Sequence, residues 1–396
     1  MQRILALIQG DKTIWALLFA FAVISFIPVY SASSNLAYLY GSGDTMPFVI
    51  KHAAHLLLGF VFMFFIHRLP FHYFGPLSRL FLPLAIFGLV YTLLQGNTIA
   101  GANASRWIQI PILGFTIQTS AFAGIVLCVY VAQYISKNVD KSKTLKASVL
   151  PLWLPVFVVI GLIFPANFST SALLFFFVLV IAFIGCYPLK QLLTVLGVAL
   201  LGALLFILVA KAFPSAFPDR VDTWFNRVEN FMTPENTETD YQVTKAKTAI
   251  ASGGVIGKGP GKSVQKNFLP QSSSDFIYAI IVEELGLVGG MALLGLYLIL
   301  LFRLVVALHK APTLFGKILI VAAGLPIIVQ AFVNMGVAVS LLPVTGQTLP
   351  LISSGGSSIW VTCIAMGMVL SVTAKHVEKQ TDIESDNPLD ILSEAL

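Results

Sequence analysis

The chain has 396 residues, of which 57% are hydrophobic and only 11% charged, with a formal net charge of +6. Soluble domains carry roughly 25% charged residues, so this composition excludes a water-soluble fold and predicts an all-α polytopic membrane protein. The basic excess makes no case for nucleic acid, because membrane topology already requires lysine and arginine on one side of the bilayer.

A helix needs about 20 apolar residues to cross the hydrocarbon core. Ten stretches qualify, at about 14–32, 47–66, 79–95, 115–135, 149–165, 170–187, 191–211, 276–302, 316–340 and 357–374. Threading them from a cytoplasmic N-terminus places Arg3, Lys12, Arg68, Arg79, Lys137, Lys141, Lys143, Lys146, Lys190, Arg303, Lys310, Lys317, Lys375 and Lys379 inside. The short outer loops then keep almost nothing basic except Arg106, so both termini are expected in the cytoplasm. Ser31-Ala32-Ser33 after the first span has the small residues of a cleavage site. Removing that span would invert the charge pattern, and an uncleaved helix is expected. Cys128, Cys186 and Cys363 fall inside spans and read as small apolar packing residues, with no disulfide or metal spacing. Lys51 and His55 stand one turn apart on the second span and read as a shared face given to snorkelling or bundle packing.

Between the seventh and eighth spans lies an outer loop over 212–275, too long for a simple connector and expected to fold as a cap. Residues 213–227, with Pro214, Pro218, Trp224 and Phe225, suit a helix at the membrane surface. Thr233-Pro234-Glu235-Asn236 marks a turn, and Tyr241 to Ala251 reads as a short helix broken by Gly253-Gly254. The run Gly253-Gly254-Val255-Ile256-Gly257-Lys258-Gly259-Pro260-Gly261-Lys262-Ser263 is not a Walker A loop, since glycine would be needed at position 256. What remains is a glycine-rich backbone whose open N–H groups and two lysines could hold a diphosphate, against the plainer reading of a flexible loop.

The loop closes on Ser272-Ser273-Ser274-Asp275, immediately before the apolar Phe276 to Ile281. A carboxylate at the rim of a hydrocarbon segment is costly to desolvate and is a functional candidate by default. Glu283 and Glu284 follow within the span. Adjacent helical positions diverge by about 100°, so at least one should meet a polar interior, as a structural pair or as part of a cavity. Pro343, Pro350 and Gly355-Gly356 interrupt the chain between spans nine and ten. Such backbone is tolerated at membrane depth where protein or a wet cavity covers it, which predicts a re-entrant segment offering Ser353, Ser354 and Ser357 as donors. The domain organisation expected is one transmembrane domain over 1–376, including the loop over 212–275, and an acidic, disordered cytoplasmic tail over 377–396.

Tyr241-Gln242, Gly253-Gly254-Val255-Ile256-Gly257-Lys258-Gly259, Leu269-Pro270, Ser274-Asp275-Phe276-Ile277 and Glu283-Glu284-Leu285-Gly286 together resemble the signature of the SEDS family (shape, elongation, division and sporulation), which holds the FtsW and RodA proteins. Tyr30-Ser31-Ala32-Ser33, Gly101-Ala102, Arg106-Trp107-Ile108, Gln330, Asn334, Leu342-Pro343-Val344-Thr345-Gly346, Leu349-Pro350, Ile352-Ser353 and Gly355-Gly356-Ser357-Ser358 extend the resemblance along the chain. It implies a ten-helix glycosyltransferase of the bacterial cytoplasmic (inner) membrane, with its active site facing the periplasm or cell exterior. Such an enzyme polymerises lipid II, releases undecaprenyl diphosphate, and works with a class B penicillin-binding protein and other divisome or elongasome membrane proteins. Thr345-Gly346-Gln347-Thr348-Leu349-Pro350 and the acidic tail look closer to the FtsW division members, with RodA as the alternative. Two departures stand out. Ala121 and Gly124 occupy positions where the family usually has an acid and a base, and Gln271-Ser272-Ser273-Ser274 replaces its usual residues before the aspartate.

Growing a glycan from an anomeric diphosphate needs a base for the acceptor hydroxyl, while the diphosphate leaves without a proton donor. One carboxylate, Asp275, is therefore enough, unlike the acid and base pair of most glycoside hydrolases. Attack from the face opposite the diphosphate inverts the anomeric centre and gives a β-1,4 strand, and partial loss of water at the membrane rim makes Asp275 a stronger base. Negative charge developing on the diphosphate calls for fixed cations, for which Arg106, Arg220, Lys258 and Lys262 are candidates. Gln242, Glu283, Glu284, Thr345, Ser353, Ser354 and Ser357 complete the substrate-binding candidates. A divalent cation, magnesium or manganese, bridging Asp275 and the diphosphate would serve the same end, although no His or Cys spacing announces a dedicated site. A lipid II flippase, or a non-catalytic scaffold for a penicillin-binding protein, are the alternative readings.

Overall fold

The computed structural model describes residues 8–40, 43–95, 98–99, 102–103, 107–109, 116–138, 145–212, 238–269 and 271–374. The surface helix expected over 213–227, the turn over 233–236, Arg106, Arg220 and the acidic tail lie outside the described residues.

Helices follow the apolar runs. In chain order they are α1 (Lys12–Tyr40), α2 (Met46–Ile66), α3 (Phe74–Gln95), α4 (Thr119–Asn138), α5 (Leu145–Ser148, a π turn over Val149–Trp153, then Leu154–Ile163), α6 (Phe168–Ile184), α7 (Leu189–Ala212), α8 (Glu238–Gly253), α9 (Ile277–Lys310), α10 (Leu314–Ala338) and α11 (Ser357–Thr373). Eight are long and apolar enough to cross a bilayer, and α6 and α11 are shorter apolar helices. These ten coincide with the ten expected spans. Only α8 is not apolar, and it falls on the helix expected from Tyr241 to Ala251. Two short antiparallel ribbons, Thr98–Ile99 with Ala102–Asn103 and Trp107–Gln109 with Thr116–Gln118, lie between α3 and α4.

Local chemistry sets the ends. Asp11 Oδ1 accepts from the amides of Thr13 at 2.8 Å and Ile14 at 3.3 Å, Asn167 caps α6 through Thr170 N, and Thr313 caps α10 through Gly316 N. Each short side chain satisfies an amide that the first helical turn leaves open. Gly185 ends α6 two residues before the expected boundary. Cys186 therefore sits exposed in a turn with φ +60°, whereas Cys128 and Cys363 are buried packing residues as expected.

The most enclosed helices are α4 and α10. α10 packs on α4, α9 and α11, α2 runs along α1 and α11, and α7 leans on α6. The leucines of α7 are largely exposed, which suits a hydrocarbon surround. Lys51 and His55 do not share an environment. Lys51 is exposed, while His55 is buried with its ring 5.2 Å from that of Trp360. His52, one residue from Lys51, is also buried and lies 2.8 Å from Ser25 Oγ.

One helix is broken. At Gly286 α9 adopts φ 71°, ψ −174°, outside helical space. In an unbroken helix the amides of Leu287 and Val288 would bond to the carbonyls of Glu283 and Glu284. Instead those carbonyls accept from Lys258 N at 3.0 Å and Gly259 N at 2.9 Å, and Leu287 N and Val288 N donate to the carbonyls of Gly254 at 2.9 Å and Val255 at 3.2 Å. The glycine-rich loop thus replaces the missing helical bonds. Backbone packs directly on backbone: a Cβ at Gly257 would lie 2.2 Å from Glu284 O, and one at Gly286 2.2 Å from Val255 O. Residues 277–285 form a short helical segment whose direction depends on that loop.

Candidate active site

Asp275 heads this short segment. It is half-buried, at the end of a tight turn opened by Gln271 with φ +58°. The Gln271 carbonyl accepts from the amides of Ser274 at 3.0 Å, Asp275 at 3.1 Å and Phe276 at 3.4 Å. A left-handed non-glycine residue is a strained conformation that persists only when its surroundings determine it.

Those surroundings come from the segment between α10 and α11. Asn334, buried on α10, donates both amide hydrogens, to Asp275 O at 2.8 Å and to Gln347 O at 2.7 Å. Ser353 Oγ donates to Ser274 O at 2.6 Å and accepts from Leu349 N at 2.8 Å. Ser354 N donates to Ser273 O at 2.9 Å. A Cβ built on Gly346 would lie 3.5 Å from Asp275 Oδ2, so bare backbone faces the carboxylate. This stretch is stitched to the aspartate turn by uncharged hydrogen bonds. Of the serines named from sequence, Ser353 is buried in the seam, Ser354 is exposed, and Ser357 is buried, accepting from Gln118 N at 2.8 Å. Thr345 is partly exposed next to Gly346, and Gln242 is partly buried on α8.

The other side is charged. Glu283 and Glu284 are 0% and 1% exposed. Glu283 accepts from Lys258 Nζ at 2.7 Å, Ser263 Oγ at 2.5 Å, Val264 N at 3.1 Å and Gln265 N at 3.2 Å. Glu284 accepts from Ser31 Oγ of α1 and from Ser263 N at 3.3 Å. Both acids are sealed beneath the loop rather than facing an open cavity, because a buried carboxylate requires several donors and the loop supplies them. Most of the loop amides offered for a diphosphate are already engaged. The amides of Gly257, Lys258, Gly259, Lys262, Ser263, Val264 and Gln265 all bond within the assembly. Lys258 is committed to Glu283, while Lys262 is exposed and forms no ion pair among the described residues.

Near Asp275, between α4, α6, α10 and α11, lies a cavity of about 120 Å³, room for several waters. Its polar lining includes Gln118, Thr170, Gln330, Gln347 and Thr348, and its apolar lining Leu173, Leu174, Phe177 and Ile327. Ala121 and Gly124 both line it, so the two departures in the fourth helix leave open space where longer side chains would stand. Asp275 is not in its wall. Gly346, under the carboxylate, adjoins the lining residue Gln347, whose Nε2 donates to Thr170 Oγ1 at 3.0 Å.

Sequence reasoning passed over Asn334, Ser31 and Ser263 as site residues. Asn334 carried a readable signal, since Gln330 and Asn334 stand one turn apart on an otherwise apolar helix. Ser31 and Ser263 carried none, because their partners are distant in the chain.

Comparison with known proteins agrees with this fold. The sequence model of the cell cycle protein family of FtsW, RodA and SpoVE matches residues 11–378. A probable peptidoglycan glycosyltransferase FtsW of Saccharophagus degradans is 34% identical over 338 residues, 83% of this chain and 84% of its own length. Its counterpart in Escherichia coli O6:H1 is 32% identical over 374 residues, 93% of this chain and 86% of its own. Among solved structures, a chain from work on the coordination of polymerization and crosslinking by a peptidoglycan synthase complex superposes with a TM-score of 0.72 at 25% identity, covering 92% of this chain and 97% of its own. The rod shape determining protein RodA of Thermus thermophilus gives 0.64 at 25% identity, covering 92% and 96%. A match across nearly the whole chain means that this protein belongs to the FtsW, RodA and SpoVE family of cell cycle proteins.

Proposed function

We propose that this protein is a peptidoglycan glycosyltransferase of cell division, polymerising lipid II into β-1,4 strands with Asp275 as the general base. The observation that carries the reading is a single half-buried carboxylate, held by its own backbone over Gly346 and near a cavity with a partly polar lining. The relatives named as peptidoglycan glycosyltransferases support it.

Asp275 takes the proton of the acceptor hydroxyl as that oxygen attacks the anomeric carbon, and the polyprenyl diphosphate leaves from the opposite face as an anion. Its charge calls for fixed cations, for which Lys262, Arg106 and Arg220 are proposed. A magnesium or manganese ion, if one takes part, would be held by the Asp275 carboxylate and would supply further positive charge; among the described residues no cluster of three or more acidic, histidine or cysteine side chains forms a dedicated metal site. The site faces the outside of the cytoplasmic membrane, and a class B penicillin-binding protein is the expected partner. The fold shared with a chain of a peptidoglycan synthase complex supports that pairing.

The test is polymerisation of purified lipid II by wild type and Asp275→Asn, with and without a class B penicillin-binding protein and divalent ions. Polymer from wild type and none from the folded variant supports the reading. No polymer from wild type under any of these conditions, or polymer unaffected by the substitution, moves the assignment to a flippase or scaffold.

A further inference from the structure

We infer that Lys258 and Glu283 are positioning residues for Asp275. They form a clasp that locks the glycine-rich loop into the break of α9 and thereby aims the short segment that carries the catalytic carboxylate. The inference rests on the glycosyltransferase reading and assigns Lys258 a role other than binding the diphosphate.

Four observations converge. The break at Gly286 uncouples residues 277–285 from the long remainder of α9, so that continuation of the helix does not set their direction. The loop backbone alone supplies the four hydrogen bonds that bridge the break. Those bonds are in register only while Lys258 stays opposite Glu283, because Lys258 N bonds to Glu283 O and Lys258 Nζ reaches Glu283 Oε1 of the same residue at 2.7 Å. Finally, Glu283 also gathers Ser263, Val264 and Gln265, closing the far end of the same loop onto the same helical turn. Glu283 lies eight residues beyond Asp275, on the short helical segment that the aspartate turn leads into, so rotation at residue 283 moves the carboxylate. A misplacement of about 1 Å can cost about 100-fold in rate.

The alternative is that Lys258 contacts the substrate diphosphate directly, and the two roles predict opposite kinetics. Lys258→Met and Glu283→Gln are compared with wild type in lipid II polymerisation, together with the double variant, Lys258→Arg and the milder Ser263→Ala. The clasp predicts that each charge-removing variant lowers kcat by about 10- to 100-fold with KM for lipid II held within roughly twofold. The double variant should be no worse than the more damaged single variant, since both remove one interaction. Lys258→Arg should restore most of the rate, and Ser263→Ala should give an intermediate loss. A second readout is independent of activity: Glu283→Gln should speed trypsin cleavage after Lys258 and Lys262, because the loop is released. A raised KM with kcat kept in Lys258→Met, or a Glu283→Gln enzyme as active as wild type, overturns the inference. Should wild type make no polymer, the glycosyltransferase reading fails, and the clasp is then judged by cleavage alone. Unchanged cleavage in Glu283→Gln sinks it.

Discussion

Two loops hold the aspartate turn, and they do so by different physics. The loop over 252–266 is charged: two buried carboxylates collect a lysine, serine hydroxyls and backbone amides. The stretch over 343–357 is neutral, joining the turn through Asn334, Ser353 and backbone groups. Charge-assisted bonds are roughly twice as strong as neutral ones. Removing one partner, however, leaves a buried charge uncompensated, which costs far more than losing a neutral bond. The charged side therefore sets direction and fails abruptly, while the neutral side sets position and fails by degrees.

The largest effect should come from removing what both loops hold. Asp275→Asn keeps the side-chain shape and the backbone bonds from Gln271 and Asn334 but takes away the base. Proton transfer of this type is worth about 10²- to 10⁴-fold, so polymerisation should fall by at least that much with an unchanged melting temperature in detergent.

Gly286→Ala attacks the charged side without touching a charge. Its Cβ would meet Val255 O at 2.2 Å in a backbone conformation of φ 71°, and left-handed strain with overpacking amounts to about 3 kcal/mol. Thermal unfolding should register that loss, and trypsin should reach the loop sooner. A fully stable, protected variant would show that the loop is not seated in the break.

On the neutral side Asn334→Ala leaves the carbonyls of Asp275 and Gln347 without their donor, a cost of about 2 kcal/mol. Ser353→Ala removes one donor and one acceptor at the seam and should cost about 1 kcal/mol. Both follow from unfolding curves, and the pair should be less than additive because the two side chains anchor the same turn. A Ser353→Ala loss exceeding that of Gly286→Ala would reverse the ranking of the two loops.

Hydropathy made the bundle legible, because a bilayer demands about 20 apolar residues per crossing, and ten such runs could be counted. Charge placed Asp275 at the border of one of them. Boundaries were less legible at Cys186, which the Gly185 cap pushes out of α6, and at α1, which continues to Tyr40 past its apolar run.

By itself, then, the sequence determined a polytopic helical membrane protein, its family through motifs spread along the chain, and the carboxylate that heads α9. Only the tertiary structure decided what surrounds that carboxylate. It paired Lys258 with Glu283, engaged most of the loop's amides, and opened a cavity at Ala121 and Gly124. The reason is physical. Hydrophobic burial is read from local composition, one span at a time, whereas hydrogen bonds and ion pairs in a membrane bundle join residues tens to hundreds of positions apart, and which donor meets which buried acceptor is settled only when the helices pack.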